Sequence, residues 1–399
     1  MQEIIKSLVQ KNDKKIVLLV MDGIGGLPRE KGGKTELETA RTPNLDNLAS
    51  ESECGLHLPI DFGITPGSAP GHLALFGYRP TDYNIGRGVV AAMGIGFPMR
   101  AGDVAARVNF ATRDDQGNVT DRRAGRIPTR RCAELCDLLS SIRVPGVEIF
   151  LRPVMDYRAV LVFRGEGLSD HVADTDPQAV GVKSLDPKPT SEEGRKTAEI
   201  AAEFIKQALE LLKDHHPANC LLTRGFAKLP HIPNMQELYG LHPLALAVYP
   251  DYKGVSRLVG MDVIEGLKDL DHQRQALKDN WDKYDYFFIH HKYTDSRGED
   301  GNFDAKVAEI EKVDGFLPHI IAQKPDVLIV TGDHSTPAVM KSHSHHPIPF
   351  LINAANSRPD GVQEFGERAC AAGLWGIIPG PMLIRLALAY AGKLAKYGA

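Results

Sequence analysis

With 399 residues, 43% hydrophobic and 25% charged, and with 47 basic against 51 acidic side chains, the chain has the composition of an ordinary folded protein and a formal net charge of −4. Its length suits two domains or one elaborated domain and excludes disorder as the dominant state. Mild acidity argues against a nucleic-acid surface, which needs clustered positive charge, and no run approaches the roughly 18 consecutive apolar residues that would span a membrane.

The opening MQEIIKSLVQKNDKK lacks an apolar core and a small-residue cleavage site, so a cytoplasmic location is expected. Lys15 to Met21, KIVLLVM, is a near-continuous β-branched and Leu run. It reads as a strand buried on both faces of a parallel sheet and ending at Asp22-Gly23. Thr65-Pro66-Gly67-Ser68-Ala69-Pro70-Gly71-His72 follows. Its Pro and Gly bend the chain before the apolar LALFGY, placing Ser68 at or near a helix N-terminus, where free amides and the helix dipole favour an anion. Taken alone, Ser68 reads better as a cap of its helix.

From about residue 100 to 245 the pattern changes. Short strands are predicted at Val104 to Phe110, Val147 to Leu151, Arg158 to Phe163 and Cys220 to Thr223, with a turn over Asp114 to Asn118. Helices are predicted at Thr129 to Leu139 and at Ser191 to Lys213, the latter with Ser191 as N-cap. The parallel-sheet pattern then resumes. Asp285 to Ile289 leads through HHKYT to Asp295. A helical repeat of Val307, Ile310, Val313, Leu317 and Ile320 follows, and Asp326 to Val330 leads to Asp333-His334. Pro381 to Lys393 reads as a closing amphipathic helix. The expected architecture is an α/β core, residues 1–98 and 245–399, with an α+β domain of residues 99–244 inserted into it. The five cysteines are scattered without a CxxC pair and read as free thiols.

In an open parallel sheet ligands bind at the carboxyl ends of the strands, so Asp22, Asp295 and Asp333 should gather in one crevice. Any single Asp there suits a turn or a cap. Three carboxylates together repel, and a divalent cation is a usual remedy. His334, and His343 in KSHSHHP, add imidazoles, giving donors for Mn, Mg, Co or Zn. A hydroxyl such as that of Ser68 is a poor nucleophile until activated, and metal coordination is one route. Asp22-Gly23-Ile24-Gly25-Gly26 lacks the GxGxxG spacing, and no GxxxxGK[ST] loop exists, so nucleotide cofactors are discounted.

VLLVMDGIGG, TARTPNLDNLA, TPGSAPGHLALFGY, the segment ending in Asp295 and TGDHSTP together resemble the archaeal-type branch of the cofactor-independent phosphoglycerate mutases, within the alkaline phosphatase superfamily. NIGRG, VNFAT, DRRAGRI, RAVLVFRG, DTDP, LLTRG and YKGVSRLVGMDV extend the likeness over nearly the whole chain. The resemblance implies an alkaline-phosphatase-like, mostly parallel sheet core flanked by helices, with an inserted α+β cap. It also implies interconversion of 3-phosphoglycerate and 2-phosphoglycerate through a phosphoserine, with two divalent metals and no 2,3-bisphosphoglycerate. One metal site would comprise Asp22, Ser68, Asp333 and His334, and the other Asp295, His343 and the residue four after Asp295. There the family usually has His, whereas TDSRGEDG supplies Glu299, whose harder oxygen shifts preference from zinc toward manganese or magnesium. Arg107, Arg126, Arg158, Arg164, Arg224 and Arg257 are candidates to grip carboxylate and phosphate, with Asp174 or Asp176 as general acid-base and Lys253 as a further catalytic candidate. A metal-dependent phosphohydrolase on the same core is the alternative. A homo-oligomer stays open, and no other protein partner is indicated.

Overall fold

The structure, a computed structural model, describes residues 2–398. Its α/β chain forms β1 (Ile16–Met21) and β2 (Glu53–Leu58), then β3 (Val104–Arg113), β4 (Asn118–Asp121), β5 (Glu148–Met155), β6 (Arg158–Arg164), β7 (Val182–Lys183) and β8 (Cys220–Lys228). It continues with β9 (Pro243–Ala247), β10 (Asp262–Val263), β11 (Tyr286–His291), β12 (Val327–Thr331), β13 (Ile348–Ala354) and β14 (Ile377–Pro379). These strands make two sheets, and the chain divides into two compact units, one running through Tyr83 and resuming at Ile232, the other Asn84–His231.

The first unit holds an eight-stranded sheet of order β10-β9-β11-β1-β12-β13-β2-β14. Its strands are parallel except β13, which runs against both neighbours. All six β1 residues are buried, as a strand covered on both faces demands. Val17, Leu19 and Met21 pack with Ile310, Val313 and Leu317 of the Phe303–Ile321 helix on one side. On the other, Phe288 of β11 meets Phe76 with ring centroids 4.9 Å apart. Truncating a wholly buried residue such as Leu19 to Ala would cost about 2–5 kcal/mol.

The second unit is an antiparallel sheet, β5-β6-β3-β4-β7, with β8 on the free side of β3. The Thr129–Leu139 and Arg195–Leu212 helices cover one face, where Val104, Ala106, Val108 and Phe110 join Leu135, Phe204 and Ala208. The division falls at 83/84 and 231/232 instead of 98/99 and 244/245. The Arg87–Gly94 helix packs on β3, β6 and β8, and a Cβ at its Gly88 would strike the Ala105 carbonyl. At the other boundary, Tyr239 donates to the Gly77 carbonyl at 3.2 Å, so the chain has already rejoined the first unit before β9.

Ser191 does not cap the long helix. A 3-10 turn, Glu192–Gly194, precedes Arg195, and the Ser191 hydroxyl meets His171 Nδ1 at 2.6 Å. The closing helix is Met382–Tyr390. All five cysteines are free and buried, and no described helix is long and apolar enough to cross a membrane.

Candidate metal centre

Because β1 lies between β11 and β12, parallel to both and with Val20 level with His290 and Thr331, the three strands end side by side. Asp22 follows β1, Asp295 lies on the short helix after β11, and Asp333-His334 follow β12. All four side chains are wholly buried. The chain after Asp22 turns with Gly23 at φ +60°, where a Cβ would crowd Thr336 and Asp295, so glycine is required there. Lys306 holds this turn from beneath, its buried ammonium donating to the carbonyls of Gly23 (2.8 Å), Gly25 (3.0 Å) and Thr336 (2.8 Å). Glu36 accepts from Leu27 N and Ala338 N, tying the same turn to the loop after His334.

The imidazoles are oriented through their far nitrogens. Thr336 donates its hydroxyl to Asp295 Oδ1 (2.7 Å), so its oxygen accepts from His334 Nδ1 (2.9 Å), leaving the Nε2 lone pair of His334 toward Asp22 Oδ1 (3.3 Å) and Asp333 Oδ2 (3.2 Å). His343 donates from Nδ1 to the Pro66 carbonyl at 3.0 Å and turns Nε2 to Asp295 Oδ1 at 3.5 Å. The two rings stack with centroids 3.6 Å apart. Burial lowers the His334 pKa against the pull of Asp333, so it is a neutral donor, the form a metal binds.

Ser68 opens the Ser68–Leu75 helix, with Gly67, not Ser68, at the N-cap position. Its hydroxyl does no capping and lies 3.2 Å from His334 Nε2. Gly71 lets the helix seat here, since a Cβ would collide with the Asp333 carbonyl. His72 bridges its own turn and the centre, donating from Nδ1 to the Ser68 carbonyl (2.8 Å) and lying 3.2 Å from Asp333 Oδ2.

The donor set fits divalent cations. Asp22 Oδ1 and Asp333 Oδ2 are buried without a hydrogen-bond partner among the described residues, and Lys292 reaches two of the three carboxylates, those of Asp22 and Asp295. Burial pushes the Asp22 carboxyl up, but Lys292, His290 and His334 outweigh it and hold the group well below the usual range. Two clusters have ligand atoms close enough to share an ion, Asp22 with Asp333 and His334, and Asp295 with His334 and His343. His334 is close enough to belong to either. Glu299 joins neither among the described residues. It ends the Asp295 helix, its side chain is 56% exposed, and Oε1 lies 3.9 Å from His343 Nε2.

The arginine candidates are dispersed. In the first unit Lys253 and Arg257 both pair with Glu265, Lys253 at 2.7 Å. In the second, Arg107 of β3 lies opposite Arg224 of β8, and Arg158 of β6 opposite Asn109. Arg164 sits at the far end of β6, in a two-point pair with Asp103 (2.9 and 2.7 Å), and is not brought to the others. Arg126 is exposed on a left-handed turn. Asp176 accepts a fork from Arg122 (2.8 and 2.7 Å) and has Arg224 at 3.5 Å. Against burial, these keep its pKa low, so it is committed as a carboxylate. Asp174 accepts from Gly225 N at 2.7 Å with Arg224 at 3.8 Å.

Several residues at the site escaped the sequence reading. Lys292 bonds Asp295 and lies 3.4 Å from Asp22 Oδ2. His290 lies 3.2 Å from the same oxygen, stacked on Tyr252 with centroids 3.7 Å apart. Both belong to HHKYT, where the strand-end rule could have found them had it not been applied to acidic residues alone. Arg122 precedes Arg126 in DRRAGRI, and nothing in the spacing separates the two.

A mostly parallel α/β protein with an oxygen-and-imidazole centre at its strand ends is thereby defined. A family model described as 2,3-bisphosphoglycerate-independent phosphoglycerate mutase matches residues 49–219. Relatives named as probable enzymes of that kind include one from Aquifex aeolicus, 49% identical over 100% of both chains, and one from Thermus thermophilus, 49% identical over 99% of each. Among solved structures, a Pyrococcus horikoshii protein matches with TM-score 0.83 and 29% identity over 98% of this chain and 100% of its own. The cofactor-independent phosphoglycerate mutase of Thermoplasma acidophilum matches with TM-score 0.68 and 30% identity over 95% and 100%. The chain belongs to the 2,3-bisphosphoglycerate-independent phosphoglycerate mutase family, whose members are isomerases.

Proposed function

We propose that this protein interconverts 3-phosphoglycerate and 2-phosphoglycerate by moving the phosphoryl group onto Ser68 and back to the other hydroxyl of the same glycerate. The observation that carries this reading is the Ser68 hydroxyl, released from capping and 3.2 Å from His334 Nε2 beside the unpartnered oxygens of Asp22 and Asp333. Asp22, Asp333 and His334 would hold one divalent ion and Asp295 and His343 the other, with Glu299 reaching the second only through its neighbour His343. Bound there, such ions supply a lowered hydroxyl pKa and charge neutralisation on the transferring phosphoryl oxygens. Carboxylate oxygens with imidazole suit manganese, with magnesium, cobalt or zinc as substitutes.

The chain's own groups do the rest. Ser68 Oγ forms the new P–O bond in line with the departing glycerate oxygen, and the reverse step returns the phosphoryl group to the neighbouring carbon's hydroxyl. The N-terminal amides of the Ser68–Leu75 helix favour the phosphoserine charge. Arg107, Arg158 and Arg224 bind the carboxylate and phosphate of the substrate. Asp174, free of the fork that holds Asp176, exchanges the proton with the glycerate hydroxyls. Arg164, paired with Asp103, stabilises its sheet and takes no part.

Incubation of the purified protein with 3-phosphoglycerate and manganese tests this directly. The expected result is 2-phosphoglycerate with no inorganic phosphate and no need for 2,3-bisphosphoglycerate. Stoichiometric phosphate release would replace the mutase with a phosphohydrolase of the same fold.

A further inference from the structure

The face of the second unit's sheet not covered by its long helices carries one polar window between two apolar patches. On one side Ala105, Val160 and Val162 pack under Ala91 and Ala92 of the Arg87–Gly94 helix; on the other Ala111, Val119, Cys220 and Leu222 cluster. Between them this face of β3 presents Arg107 and Asn109, two residues apart and so on the same side of the strand. The register sets Arg224 of β8 opposite Arg107, and Arg158 of β6 opposite Asn109. Directly opposed side chains start about 5 Å apart, so Asn109 shares this face of the sheet with three arginines.

Asn109 is 9% exposed, and its Oδ1 is buried without a hydrogen-bond partner among the described residues. A buried amide oxygen left unpaired in a sheet is costly, and a side chain chosen only for packing would be apolar, as its neighbours Ala105 and Ala111 are. The arginines beside it are donors and suit a ligand's anionic groups. An amide oxygen instead takes a donor, and the donor a phosphoglycerate offers is its free hydroxyl.

Resting on the mutase reading above, we infer that Asn109 is a specificity-determining residue that accepts a hydrogen bond from the free hydroxyl of the phosphoglycerate whose charged groups the neighbouring arginines hold. Sites built to bond a substrate hydroxyl reject analogues that lack it, because the protein group is then left buried and unpaired.

The test compares 3-phosphoglycerate with 3-phosphooxypropanoate, which keeps both anionic groups and lacks the C2 hydroxyl. With manganese supplied, the wild type should bind the substrate about tenfold more tightly than the deoxy analogue, read as KM against inhibition constant. Asn109→Leu, close in volume, should raise the KM about tenfold, leave the analogue's inhibition constant within about twofold and keep the wild-type Tm. If Asn109→Leu does not fold, Asn109→Ala, which also lacks an acceptor, gives the same comparison. An unchanged KM would overturn the inference, assigning the Asn109 oxygen to a structural water, and so would equal weakening of both ligands. Failure of the mutase reading is separate, because it appears in the wild type as phosphate release or no conversion.

Discussion

The two units place chemistry by different rules. In the first, the centre is made at strand ends: β11, β1 and β12 run parallel, finish level, and deliver Lys292, Asp22 and Asp333 to one edge. In the second, charged groups project from the middle of antiparallel strands, and pairing register alone decides that Arg107 meets Arg224 while Arg164 meets Asp103. The first arrangement concentrates charge the protein does not fully neutralise, with unpartnered oxygens on Asp22 and Asp333. The second pairs its buried carboxylates Asp176 and Asp103 with Arg122 and Arg164. A centre short of positive charge is suited to bind cations, and a sheet face rich in arginine to bind an anionic ligand.

Substitutions can break this contrast. The largest effect is expected from Ser68→Ala, which should lower the mutase rate by about 10⁴-fold or more while metal content and Tm hold; equal turnover by wild type and variant would remove the phosphoserine. Next comes Lys306→Met, which strips the donor from three buried carbonyls behind Asp22 and should cost about 3 kcal/mol or more in urea denaturation. Stability within about 0.5 kcal/mol of wild type would show that the turn holds without it.

Arg122→Gln sharpens the comparison within the second unit. The folded pKa of Asp176 is depressed, so its ion pair contributes fully above the unfolded carboxylate pKa and is lost as pH falls through the lower folded value. The substitution should therefore cost about 1–2 kcal/mol at pH 7, with the difference from wild type shrinking in acid below the ordinary carboxylate range. A pH-independent difference would assign Arg122 to packing alone. The smallest effect belongs to Glu299→Gln. Since Glu299 lies outside both ligand clusters, metal stoichiometry should match that of wild type and the rate should change less than about threefold, an exposed charge at this distance contributing little. Loss of one ion by metal analysis would make it a ligand.

Legibility follows the same division. The run KIVLLVM before Asp22, DYFFI before Asp295 and DVLIV before Asp333-His334 declare buried parallel strands and their ends, and one topological rule converts those ends into a site. Ser68 was legible as a helix start because Pro and Gly precede it. Glu299 was put forward only by the family resemblance, as the residue four after Asp295, yet four residues along a helix sets only a face, and the side chain is 56% exposed. Arg122, Arg126 and Arg164 looked alike in sequence, because an arginine's role depends on which carboxylate faces it across a sheet.

Composition, strand-end acids and the helix-opening serine were thus properties of the sequence alone, since they depend on local periodicity and backbone chemistry. The proton positions on His334 and His343, the entry of Lys292 between two carboxylates, and the unpaired oxygen of Asn109 were decided only by tertiary structure. They turn on groups distant in the chain, with Asp295 fixing the Thr336 hydroxyl beside His334, the Pro66 carbonyl orienting His343, Asp22 drawing Lys292 and strands β6 and β8 flanking Asn109, which strand order and register bring together and no local pattern encodes.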